Sequence, residues 1–121
     1  MRALIADDAK MMRTVIRRTL EGMGVDGIVE AEDGTQAIDA FRSDVFDIVL
    51  TDWNMPFKNG LEVLKAIRES DSKVPVIVIT TEGQQKYVLE AVKAGVSDYI
   101  LKPFEAATLK EKVEKLLPSL V

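Results

Sequence analysis

Five short apolar runs recur along the 121-residue chain: Ala3–Ala6, Gly27–Ala31, Ile48–Leu50, Val76–Ile79 and Tyr99–Leu101. Several are continuous rather than alternating, a pattern that suits parallel strands covered on both faces. Between them lie stretches of helical period. Met12, Val15, Ile16, Leu20 and Met23 share one face, as do Leu61, Leu64 and Ile67, and then Leu109, Val113, Leu116 and Leu117. A fourth stretch, Gln84 to Ala94, has a thinner stripe of Val88, Leu89 and Val92. Arg17, Arg18, Lys65, Arg68, Lys112 and Glu114 fall off these stripes. The pattern is a strand–helix unit repeated five times. It predicts an α/β fold of the (βα)5 kind: a doubly wound, five-stranded parallel sheet with helices on both faces and right-handed crossovers. At this length one domain is expected over residues 1–121, with no separate output domain.

Composition narrows the chemistry. Hydrophobic residues at 47% and charged residues at 30% describe an ordinary globular chain. Sixteen Lys and Arg against twenty Asp and Glu give a formal charge of -4, which argues against broad binding to nucleic-acid phosphates. There is no cysteine and no histidine. Thiolate metal sites, a cysteine nucleophile, a Ser-His-Asp triad and a histidine phosphocarrier are therefore excluded within the chain. The opening MRALIADD reaches acids after a few apolar residues, too soon for a signal-peptide core or a membrane span. A cytoplasmic protein with no membrane partner is the expectation.

Gly22-Met-Gly24-Val-Asp-Gly27 spells G-x-G-x-x-G. A dinucleotide site needs a strand before that motif and a helix after it, so that helix N-terminal amides meet the pyrophosphate. Here the helix comes first and the strand follows. These glycines are expected to end a helix and turn the chain.

The strand ends carry more. The runs close in Asp7-Asp8, in Asp52, in Thr80-Thr81 and in Lys102-Pro103. Open α/β sheets bind ligands beyond the carboxyl ends of their strands, where the strand order reverses. An Asp at a strand-to-helix turn is often only a helix cap, a lone Thr a strand residue and a lone Lys a solvated one. Their coincidence at one sheet edge favours a site. With strands 1 and 3 adjacent, three carboxylates share a crevice. Like charges so close resist joint ionisation, and a hard divalent cation with oxygen ligands, Mg²⁺, would relieve them.

The segments IADDAKMMR, LTDWNMPFKNG, VIVITTEG and DYILKPF, in this order, resemble the receiver domain of two-component response regulators. The resemblance covers essentially the whole chain. DWNMP, with Glu82 after Thr80 and an aromatic at Tyr99, is most similar to the stand-alone chemotaxis members. The resemblance, rather than the hydrophobic pattern, implies a flavodoxin-like strand order of 2-1-3-4-5.

By position the resemblance also implies roles. Asp52 is the phosphate acceptor. Asp8 and Asp52 bind Mg²⁺ with the backbone carbonyl of Asn54, and Asp7 assists through water. Lys102 and Thr80 hold phosphoryl oxygens, and Thr80 with Tyr99 forms the switch. A partner histidine kinase is the implied donor, and the output is phosphorylation-dependent protein binding, with flagellar motor control one candidate. A phosphatase is a further implied partner, and the chain is expected to be a monomer that catalyses only its own phosphorylation and dephosphorylation. Pro56 and Gly60 would shape the loop, while Trp53 and Met55 pack. Ala9, the segment Phe57-Lys58-Asn59 and Thr81 depart from the commoner family pattern.

Two other functions compete. A Mg²⁺-dependent phosphohydrolase with an Asp nucleophile commonly has an acid two residues further on, where this chain has Asn54. A phosphorylation-independent binding module would not need the complete set of site residues.

Overall fold

The computed structural model describes residues 1–70 and 72–118; the expected end of the domain at Val121 lies outside them. Strands and helices alternate throughout: β1 (Arg2–Ala6), α1 (Lys10–Gly22), β2 (Gly27–Ala31), α2 (Gly34–Ser43), β3 (Ile48–Thr51), α3 (Gly60–Glu69), β4 (Val76–Thr80), α4 (Gln85–Lys93), β5 (Asp98–Leu101) and α5 (Ala106–Leu116). All five strands pair in parallel, in the order β2-β1-β3-β4-β5. Fold class and strand order are both as expected.

The period of two along each strand sorts its side chains to two cores. Ala3 and Ile5 of β1 point with Ile48, Leu50, Ile77, Ile79 and Ile100 toward α1 and α5, where Ile16, Leu20, Leu109 and Val113 close over them. Leu4 and Ala6 point the other way with Val49 and Val76, against Ile38, Val63, Leu64 and Ile67 of α2 and α3. Buried on both faces, the three central strands have no use for polar alternation, which is why their sequence runs are continuous.

Two sequence expectations are corrected. Val15 is 44% exposed although it shares a stripe with Ile16 and Leu20. On α4 the expected stripe of Val88, Leu89 and Val92 is rotated: Leu89 and Val92 are exposed, and Ala91 is the buried residue. The physical reason lies beneath the helix. Trp53 fills the space there, edge-on to Tyr87 with ring centroids 5.5 Å apart, and a small residue at 91 is what lets the helix approach.

The glycine motif behaves as its element order demands. Gly22 ends α1, Gly24 takes φ +91, and Gly27 opens β2. Among the described residues no helix is long and apolar enough to cross a membrane.

Candidate functional site: an acidic crevice at the carboxyl edge of the sheet

Strand register builds the site. Ala6 of β1 pairs with Thr51 of β3, so the residues that follow them, Asp7 and Asp52, leave the sheet side by side. Their backbones stay tied to it: the Asp52 N–H donates to the Ala6 carbonyl at 2.8 Å, and the Asp7 N–H to the Ala31 carbonyl at 3.1 Å. Asp8 follows directly on the turn into α1. Carboxylate oxygens of Asp7, Asp8 and Asp52 all lie within 4.8 Å of one another. Asp7 is 1% and Asp52 9% exposed, whereas Asp8 faces solvent.

Lys102 reaches these acids from the far side of β4. Its ammonium donates to Asp7 Oδ2 at 2.7 Å and to Asp52 Oδ2 at 3.0 Å, with the lysine side chain only 13% exposed. Burial alone pulls the Lys102 pKa down, but hydrogen bonds and charge from Asp7 and Asp52 outweigh it, and the net shift is upward. Three carboxylates against one ammonium leave a formal excess of two negative charges. The donor set is all oxygen, clustered and partly open at Asp8, and it fits a hard divalent cation.

The loop after β3 is shaped for close approach. The Trp53 N–H donates to Asp52 Oδ1 at 2.6 Å, fixing one acceptor oxygen and leaving the other to Lys102. The Gly60 N–H returns to the Trp53 carbonyl at 2.8 Å. A Cβ on Gly60 would stand 2.2 Å from the Asp52 carbonyl oxygen, so only glycine permits this packing. Asn59 then caps α3 in a capping box: its side chain accepts the Glu62 N–H, and the Glu62 carboxylate accepts the Asn59 N–H. Phe57, by contrast, takes φ +68 and is 84% exposed.

Thr80 ends β4 completely buried. Its hydroxyl oxygen accepts the Glu82 N–H at 3.3 Å, which leaves its own O–H free to donate elsewhere, and its carbonyl accepts the Lys102 N–H at 2.9 Å. Asn54 donates its side-chain amide to Glu82 Oε1 at 2.9 Å, and the Tyr99 hydroxyl donates to the Glu82 carbonyl. Tyr99 is half-buried; burial, then the charges of Glu82 and Asp52, raise its pKa. Thus Asp7, Asp8, Asp52 and Lys102 meet directly, while Asn54, Thr80 and Tyr99 join through Glu82 and the backbone.

Sequence reasoning missed two groups. Glu82 counted only toward a resemblance, although it contacts three site residues. Arg13 counted only as the last residue of the segment IADDAKMMR and was given no role: it is 6% exposed, and its guanidinium donates to the Asp7 carbonyl oxygen at 2.8 Å. A signal for it existed in Glu30, an acid inside the otherwise apolar run Gly27–Ala31.

A doubly wound sheet with this acid crevice beyond strands β1 and β3 defines the receiver class. The chain belongs to the response regulator receiver domain family, whose model matches residues 3–114. Its relatives include chemotaxis protein CheY-3 of Vibrio cholerae, 43% identical over 99% of this chain and 94% of that protein. Chemotaxis protein CheY of Pseudomonas aeruginosa is 42% identical over 96% and 95% respectively. Among solved structures, the Francisella response regulator 1452 receiver domain superposes with a TM-score of 0.89 at 29% identity, covering 99% of this chain and 98% of that one. Vibrio cholerae CheY4 gives 0.87 at 28% identity over 95% and 97%. The domain is thus a signalling module of the two-component kind, related to chemotaxis response regulators, rather than a metabolic enzyme.

Proposed function

We propose that the domain accepts a phosphoryl group on Asp52 from a phosphohistidine of a partner kinase and signals by binding a downstream protein. One observation carries the assignment. Asp52 sits against the Lys102 ammonium at 3.0 Å inside a cluster of three carboxylates whose oxygens fall within 4.8 Å. An Asp52 carboxylate oxygen bonds to phosphorus, and the phosphorus–nitrogen bond of the donor breaks as the imidazole departs. Lys102 can follow the oxygens that arrive, because its ammonium is already held over Asp52. The Thr80 hydroxyl, buried beside it with its proton free, donates to another.

Asp7, Asp8, Asp52 and the Asn54 carbonyl would hold Mg²⁺. When bound, that ion neutralises the carboxylates and the incoming phosphoryl charge. Exposed Leu89, Val92 and Leu101, with Gln85, Lys86 and Lys110 nearby, supply a partner surface on α4, β5 and α5. Chemotaxis is the pathway suggested by the names of the relatives.

Incubation with Mg²⁺ and acetyl phosphate, read by intact mass, tests the reading. An adduct of about 80 Da should form, disappear with EDTA and be absent from Asp52→Asn. Formation in EDTA would remove the metal from the account, and persistence in the variant would remove Asp52.

A further inference from the structure

The turn that carries Asp7 and Asp8 has no ordinary helix cap. Ala9 occupies the N-cap position of α1 with extended backbone and no side chain able to accept an amide. The turn is held instead from within α1. The Arg13 N–H donates to the Ala9 carbonyl at 3.1 Å, and its guanidinium donates to the Asp7 carbonyl at 2.8 Å. The Ala9 N–H in turn donates to Asp7 Oδ1 at 2.9 Å. The backbone groups on either side of Asp8 are therefore pinned. The Asp8 carboxylate is not: among the described residues it has no hydrogen-bond partner, and its placement follows from the turn.

The guanidinium is itself fixed. Arg13 Nε donates to Glu30 Oε1 at 2.9 Å on β2, and Arg17 Nε holds the other oxygen, Oε2, at 2.7 Å. Glu32 lies 3.8 Å from the remaining Arg13 nitrogen. The planar fork thus spans from a strand carboxylate to the carbonyl between the two acids, which one ammonium cannot do in the same geometry.

We propose that Arg13, oriented by Glu30, is a positioning residue that presents Asp7 and Asp8 to the divalent cation; this rests on the metal-assisted phosphoryl-acceptor reading above. The alternative is that Arg13 is an ordinary buried ion pair. The sign of the effect separates the two. Arg13 carries positive charge near a cation site, so its charge alone opposes metal binding, and removing it should tighten binding. Loss of a pin on the turn should weaken binding, by about tenfold if it compares with other supports behind metal ligands.

The test is a Mg²⁺ titration of the full chain, followed by Trp53 fluorescence and by calorimetry, on wild type, Arg13→Met, Arg13→Lys and Arg17→Met. Arg13→Met should bind about tenfold more weakly. Arg13→Lys keeps the charge and guards against a misfolded Met variant; it should show a smaller loss of the same sign. Arg17→Met loses a bond to the same glutamate without touching Asp7 and should stay within about twofold of wild type. With acetyl phosphate, Arg13→Met should need about tenfold more Mg²⁺ to reach half of its own maximal rate.

Unchanged or tighter binding in a folded Arg13 variant overturns the proposal, as does an equal loss in Arg17→Met. A wild-type protein that binds no Mg²⁺ overturns the metal reading as well, and so is distinguishable.

Discussion

Lys102 shows how one side chain can be both a structural tie and a chemical group. Its ammonium joins two buried acids from different strands, so Lys102→Met should cost roughly 2 kcal/mol at neutral pH, measured by urea unfolding. The pH dependence has a definite sign. The folded-state pKa is raised above 10.5, so the stabilisation is complete below pH 10.5 and is lost as pH climbs through the raised value. Wild type and Lys102→Met should therefore converge in stability at strongly alkaline pH, and a constant gap would show that the tie is not ionic. Phe57 is the opposite case. Its backbone sits in the left-handed region with an exposed ring that packs on little. Phe57→Asn, a residue that tolerates this conformation, should raise stability by about 0.5–1 kcal/mol without altering phosphorylation, again read by urea midpoint. A loss of stability would mean that the ring is held by contacts in the native state.

At the scale of elements, each loop at the carboxyl edge has its own device: Arg13 for β1–α1, Gly60 and the Asn59 cap for β3–α3, Glu82 for β4–α4. Gly60→Ala should push the β3–α3 loop off the Asp52 carbonyl, destabilise the fold by about 1–3 kcal/mol and slow phosphorylation in the fraction that folds, checked by unfolding and adduct rate together. The strands were legible because burial on both faces leaves a continuous apolar signature; the run Gly27–Ala31 matches its strand, and the other four strands extend their runs by one residue each. The acids and Lys102 were legible because parallel strands must deliver their carboxyl ends to one edge. The inner face of α4 was not. Val88, Leu89 and Val92 fit a helical stripe, but the space under the helix was already filled by Trp53, from another part of the chain. Arg13 was hidden for a similar reason. Its partner Glu30 is 17 residues away, and no periodicity joins a helix arginine to a strand glutamate. The C-terminal end of α4 is held by Arg68 of α3, whose guanidinium donates to the Gly95 carbonyl at 2.9 Å and to the Val74 carbonyl of the α3–β4 loop at 2.8 Å. An arginine that falls off the apolar stripe of its helix is thus a brace.

Across the whole molecule, the strand order sets the proposed acceptor, after β3, one strand away from β4, which adjoins the proposed partner surface on α4, β5 and α5. Asp52 lies between β1 and β4, and Thr80, at the end of β4, touches both Lys102 of the crevice and Glu82, where Tyr99 is anchored. A phosphoryl group that draws the Thr80 hydroxyl inward would remove an acceptor from the Glu82 N–H and so disturb the segment that Tyr99 holds. Modification can shift this equilibrium only through such differential contacts. Thr80→Ala should therefore still take phosphate at Asp52 but lose the phosphorylation-dependent change in amide exchange around Tyr99 and α4. Wild-type-like exchange changes in that variant would place the route elsewhere, with the Phe57 loop the nearest alternative. All of this depends on which carboxylate is modified. The most direct measurement is to phosphorylate the protein with acetyl phosphate and Mg²⁺, trap the acyl phosphate by borohydride reduction, and sequence the modified tryptic peptide. One modified peptide, residues 43–58, is expected, with the change at Asp52 and not at Asp44 or Asp47. Modification at either of those, or in a peptide lacking residue 52, would contradict it.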